Sequence, residues 1–136
     1  MSQIQQTVDG RQPVVLVVDD NPAIRDRVSW ALELDGYEPA EAADGQEALD
    51  WMHNAAREGR YPSVILLDLA MPGMDGDAFL ERLHRQWEPV HPLPSIVVIT
   101  AKAGTPDAEA MGVSQVMVKP FHVRDLLDIV RNLIKL

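Results

Sequence analysis

The stretch VVLVVDDN (14–21) decides the fold. Five apolar residues, four Val and one Leu, run directly into Asp19 and Asp20, and Asn21-Pro22 follows at once. A short run this rich in β-branched residues reads as a strand buried on both faces. Asn21 supplies an N-cap and Pro22 suits the first helical position. Ile24, Val28, Ala31 and Leu32 then fall on one helical face, and Gly36 ends the segment. Two carboxylates therefore sit at a strand-to-helix turn, where burial is costly unless they are used.

The same alternation continues along the chain. Further apolar runs are a weaker YEPAEA (37–42), SVILLDL (63–69), SIVVIT (95–100) and VSQVMVK (113–119). Between them lie helical segments DGQEALDWMHNAAR (44–57) and DGDAFLERLHRQW (75–87), each opening on an Asp. The last segment, VRDLLDIVRNLIKL (123–136), places Val123, Leu126, Leu127, Val130, Leu133 and Ile134 on one stripe. Five strands alternating with helices predict an α/β fold, a doubly wound parallel sheet with right-handed crossovers and helices on both faces. Gly104 and Pro106 oppose a helix interior, so the fourth helix is expected to be short or irregular, from about 106 to 111.

At 136 residues the chain suits one domain, read as a flexible tail over 1–12 and a folded domain over 13–136. The net charge of −9 opposes direct nucleic-acid binding. No apolar run approaches the roughly 20 residues that span a bilayer, and the first dozen residues are polar, so a cytoplasmic protein without membrane insertion is expected. The absence of cysteine removes disulfides, thiol catalysis and thiolate metal sites.

In doubly wound sheets, function gathers at the carboxyl ends of the strands. There the sequence places Asp19 and Asp20, Asp68, Thr100 and Lys119, from strands one, three, four and five. Two carboxylates about 4 Å apart repel by roughly 4 kcal/mol at a protein-like dielectric, so three together call for a cation. Hard oxygen ligands point to Mg2+, with Mn2+ as the alternative. Such a set suits phosphoryl transfer to a carboxylate. Asp68, alone at a central strand end, is the better nucleophile, and the Asp19–Asp20 pair suits the metal. Thr100 would hydrogen-bond a phosphoryl oxygen and Lys119 would neutralise its charge.

VVLVVDDNPAIR, VILLDLAMPGMDG, IVVITA and VMVKPF, in this order, resemble the motifs of response-regulator receiver domains (CheY-like) of two-component signal transduction. The resemblance covers residues 13–136 and implies a flavodoxin-like sheet of order 2-1-3-4-5. It implies that Asp68 is the phosphoacceptor, taking a phosphoryl group from a histidine kinase or histidine phosphotransfer protein. Asp20, Asp68 and the backbone carbonyl of Ala70 would bind Mg2+ directly, with Asp19 acting mainly through metal-bound water. Lys119 would pair with phosphorylated Asp68, Thr100 would swing inward, and the Lys119–Pro120 bond would be cis. The output would be a protein–protein interaction with an unidentified downstream protein, so the domain is read as a signalling phosphoacceptor rather than an enzyme.

Two features depart from the family pattern. Val116 stands where Tyr or Phe is usual, which removes the ring that moves with the threonine. The segment between Thr100 and Lys119 is short, which predicts a monomer or weak dimer. Ala70 and Lys102 occupy positions that in the family influence access of the hydrolytic water. The chain is expected to be a stand-alone regulator or a receiver excised from a longer protein, its amino-terminal tail favouring the former.

Competing readings are weaker. Asp19, Asp20 and Asp68 taken singly are turn or capping residues; Thr100 and Lys119 taken singly are ordinary surface residues. His53, His84, His91 and His122 are scattered, and Trp30, Trp51 and Trp87 read as packing residues. A phosphohydrolase of the haloacid dehalogenase type requires a second carboxylate where Ala70 stands. A flavodoxin-like cofactor binder would have Asp19 and Asp20 repelling its phosphate. A receiver-like module that is never phosphorylated would be expected to have lost an acid or the lysine.

Overall fold

The structure, a computed structural model, describes residues 12–71, 74–101 and 107–134. Its elements are β1 (Val14–Val18), α1 (Pro22–Leu34), β2 (Glu38–Ala42), α2 (Gly45–Arg57), β3 (Val64–Asp68), α3 (Gly76–Arg82), β4 (Ser95–Thr100), α4 (Ala108–Met111), β5 (Gln115–Val118) and α5 (Val123–Ile134). All strand pairs are parallel and the order is β2-β1-β3-β4-β5, as the resemblance implies. Chain order reverses between β1 and β3, so the crevice at their carboxyl ends is the place where such sheets bind ligands.

Successive strand residues point to opposite faces, which divides the core in two. Leu16, Val18, Ile65, Leu67, Ile96 and Val98 pack with Leu49 and Met52 of α2 and with Phe79 and Leu80 of α3. Val15, Val17, Val64, Leu66, Val97 and Ile99 pack with Val28 and Leu32 of α1 and with Leu126 and Val130 of α5. Runs that face helices on both sides leave no room for polar alternation, hence the unbroken apolar stretches. β2 lies at an edge and is only partly buried, which explains its weak sequence signal and its tolerance of Pro39.

The helices start as their capping residues predict. Asn21 Oδ1 accepts from the backbone N–H of Ala23 at 2.9 Å. Asp44, Asp75 and Asp107 likewise accept from Glu47, Ala78 and Ala110 at 2.8, 2.9 and 2.9 Å. At the start of α3, Gly76 fits where nothing larger does: a Cβ there would lie 2.6 Å from Leu69 Cα and 2.8 Å from the Asp68 carbonyl oxygen. This close approach sets α3 directly against the end of β3.

Three differences from the sequence reading stand out. The third helical segment is not uniform: after α3 the chain widens into a π-helical turn over Leu83–Trp87, closed by Glu88 N–H donating to the Leu83 carbonyl at 2.8 Å. Phe79, Leu80, Leu83 and Trp87 would share a face of an ordinary α-helix as well, so periodicity could not distinguish the two. α4 is one turn over Ala108–Met111, shorter than the expected segment, whose first residue, Pro106, lies outside the described residues along with Lys102 and Gly104. Trp30 is 65% exposed on the outer face of α1 and is not a packing residue, whereas Trp87 is fully buried and donates its Nε1–H to the Pro92 carbonyl. Residues 1–11 of the expected tail, Pro72 and Gly73 of the VILLDLAMPGMDG motif, and residues 135 and 136 of the last helical segment also lie outside the described residues.

Candidate functional site

Four strand ends converge on one rim. β1 delivers Asp19 and Asp20, Asp68 is the last residue of β3, Thr100 the last of β4, and Lys119 follows β5 directly. Backbone hydrogen bonds continue the sheet into this rim: Asp19 N–H donates to the Ala42 carbonyl at 3.1 Å and Lys119 N–H to the Thr100 carbonyl at 2.8 Å. The peptide bond between Lys119 and Pro120 is cis, as expected from the family resemblance.

The acids that the sequence places at strands one and three come together in space. One carboxylate oxygen from each of Asp19, Asp20 and Asp68 lies within 4.8 Å of the others. Asp19 and Asp68 are each only 5% exposed, Thr100 is 3% exposed, and Asp20 faces solvent. Lys119 Nζ lies 3.4 Å from Asp19 Oδ2 and 3.7 Å from Asp68 Oδ2, shared between two carboxylates. Asp19 Oδ1 accepts from Asn21 N–H at 2.9 Å, and Asp68 Oδ1 accepts from Ala70 N–H at 3.2 Å. Thr100 is one residue beyond Ile99, the cross-strand partner of Asp68.

Burial holds the Asp68 carboxyl above its ordinary pKa of 3.8; the Ala70 N–H bond and Lys119 oppose the shift, and Asp19 and Asp20 add to it. One ammonium among three carboxylates leaves an excess of negative charge. The donor set is all oxygen, with Asp20 open to solvent, which fits a hard divalent cation such as Mg2+ that keeps part of its water. Ala70 is exposed, so its backbone lies at the mouth of the site, and its methyl offers no acid or base.

Val116 on β5, the departure from the family's aromatic position, pairs with Val98 of β4 and packs, partly buried, against the α2–α3 side of the core. None of the four histidines belongs to the acidic rim among the described residues. His53 and His91 instead contact the Trp87 ring, with centroid separations of 5.4 and 4.3 Å. The sequence reading overlooked Arg25. Its Nη1 donates to the Asp19 backbone carbonyl at 2.7 Å and its Nε to Glu41 Oε1 at 3.2 Å. The contact with Glu41 depends on β2 lying beside β1, which no local pattern announces.

Comparison with known proteins agrees with this fold. The family model of the response regulator receiver domain matches residues 15–131. The phosphate regulon transcriptional regulatory protein PhoB of Pseudomonas aeruginosa is 37% identical over 117 residues, covering 83% of this chain and 48% of that protein. The chain spans about half the length of the curated relatives it matches. Among solved structures, the chemotaxis response regulator CheY4 of Vibrio cholerae is 33% identical with a TM-score of 0.72, covering 89% of this chain and 98% of that one. The response regulator TrrA of Thermotoga maritima, solved with Mg2+ and BeF, is 28% identical with a TM-score of 0.71, covering 90% of this chain and 99% of that one.

Proposed function

The chain belongs to the response-regulator receiver family, and on that premise we propose that Asp68 accepts a phosphoryl group from a phosphohistidine of a histidine kinase or histidine phosphotransfer protein. A carboxylate oxygen of Asp68 attacks phosphorus, the P–N bond to the donor imidazole breaks, and the imidazole nitrogen keeps the electron pair and takes up a proton. The product is an acyl phosphate. The observation that carries this reading is the buried Asp68 carboxylate held against Asp19, Asp20 and Lys119 at one rim.

Asp19, Asp20 and Asp68, with the backbone carbonyl of Ala70, would hold Mg2+. When bound, the ion neutralises charge spread over the phosphoryl oxygens. The chain's own groups do the rest. Burial and the neighbouring acids raise the basicity of the Asp68 carboxylate, which strengthens it as a nucleophile. Lys119 already lies between Asp19 and Asp68, so its ammonium is positioned to follow charge onto the new phosphate. The Thr100 hydroxyl supplies a donor from the adjacent strand end. Because Ala70 has no side-chain acid to protonate a leaving group, the site favours holding the acyl phosphate over rapid turnover of small phosphomonoesters.

Phosphorylation would shift the balance between conformations, and a downstream protein would read the change. Intact mass spectrometry after incubation with acetyl phosphate and Mg2+ tests the reading. One added phosphoryl group in the wild type and none in Asp68→Asn is the expected result; no gain in the wild type, or an equal gain in Asp68→Asn, refutes it.

A further inference from the structure

We propose that Arg25 is a positioning residue for the acidic pair, holding the Asp19–Asp20 peptide so that both carboxylates face the cation. The proposal rests on the Mg2+ site assigned above. A planar peptide leaves only the torsions on either side of it to carry Asp20 relative to Asp19. Asp19 is anchored at its amide by the Ala42 carbonyl of β2 and at its side chain by Asn21 N–H. Its carbonyl is the remaining handle, and Arg25 Nη1 holds it at 2.7 Å. The short distance and the ionised donor mark a strong hydrogen bond.

The guanidinium is itself held. Its Nε donates to Glu41 on β2 at 3.2 Å, and the Arg25 backbone N–H donates to the Asn21 carbonyl in the first turn of α1. With two nitrogens of one rigid plane engaged, the Asp19 carbonyl cannot rotate without breaking a bond that α1 and β2 both support. The Arg25 side chain is 18% exposed, which limits competition from water. Asp20, exposed and next in the chain, depends on that plane for its direction.

Charge and positioning predict opposite signs, which makes the proposal testable. As a cation bonded to the site's backbone, Arg25 would by charge alone oppose Mg2+ binding, so its removal would tighten the ion. As a positioning group, its removal loosens the ion, by about tenfold where a supporting partner of a metal ligand is lost. Mg2+ titration calorimetry of wild type, Arg25→Ala and Arg25→Lys, with folding checked by circular dichroism, separates the two. The expected result is about tenfold weaker binding in Arg25→Ala and partial recovery in Arg25→Lys, whose single nitrogen keeps the charge but not the fork. Equal or tighter binding in Arg25→Ala overturns the proposal; if that variant does not fold, wild-type affinity in Arg25→Lys overturns it. Absence of Mg2+ binding by the wild type would instead refute the metal site on which the proposal rests.

Discussion

Replacing Asp68 by Asn is expected to stabilise the metal-free fold. Asp68 lies within 4.8 Å of an Asp19 oxygen, a repulsion of at least about 3.5 kcal/mol at an effective dielectric of 20. Lys119 at 3.7 Å returns about 4.5 kcal/mol on the same footing. The two nearly cancel; Asp20, also within 4.8 Å but facing solvent, adds a smaller screened repulsion, and the desolvation of a carboxylate that is 5% exposed remains, the same effect that leads the rise in its pKa. An amide escapes that cost, still offers a carbonyl oxygen to Ala70 N–H, and leaves Lys119 paired with Asp19. We expect a gain of about 2 kcal/mol, a fraction of the several kcal/mol that burying an ion costs. For a domain of this size that is about 6–10 °C in Tm.

The pH dependence has a definite sign. Because the folded state holds the Asp68 proton more tightly than the ordinary value of 3.8, wild-type stability falls as pH rises from that value through the raised one. The advantage of Asp68→Asn is therefore complete above the raised pKa and closes below 3.8. Mg2+ narrows it from the other side, stabilising the wild type by about 2.7 kcal/mol at a hundred times its dissociation constant. Urea unfolding of both proteins in EDTA at neutral pH, repeated near pH 4 and with Mg2+, is the assay. Equal or lower stability of Asp68→Asn in EDTA at neutral pH, or a gap independent of pH, refutes the reasoning.

Gly76→Ala drives a Cβ into Leu69 Cα and the Asp68 carbonyl, backbone atoms that cannot yield without moving the end of β3, so a loss of about 1–3 kcal/mol is expected by urea midpoint. Lys119→Met leaves Asp19 and Asp68 without their shared ammonium, and phosphoryl incorporation from acetyl phosphate, followed by mass, should slow by about 10² to 10³. Trp87→Phe removes the Nε1–H donor to the Pro92 carbonyl, and thermal unfolding should show a loss of about 1 kcal/mol, with unaltered phosphorylation because the ring lies away from the acidic rim.

Much of the site was legible because each member ends an apolar strand. Asp19, Asp68, Thr100 and Lys119 stand where Val- and Ile-rich runs stop, and a parallel sheet brings all such ends to one rim. The caps were equally local: Asn21, Asp44 and Asp75 each precede their helix and satisfy N–H groups within three residues. Arg25 was not legible, because its bond to Asp19 O spans the β1–α1 turn by a side-chain reach that no periodicity marks, and Glu41 becomes its second partner only once β2 pairs with β1. Trp30 misled for a related reason: its place on a helix does not say which neighbour, if any, will cover it, and the structure leaves it exposed.

By itself the sequence determined the order of elements, the parallel sheet and the set of acids, hydroxyl and ammonium at the strand ends, since those follow from short-range periodicity and residue type. The tertiary structure alone decided that three carboxylate oxygens share a space under 5 Å across with one lysine between two of them. It alone set the direction of the Asp68 pKa, the π-helical turn that carries Trp87, and the grip of Arg25 on Asp19. The shared space and the pKa depend on burial and on distances between residues far apart in the chain, as from Asp19 to Lys119; the π-helical turn and the Arg25 bond are short in sequence, but periodicity and residue type do not distinguish them from an ordinary helix and an ordinary surface arginine.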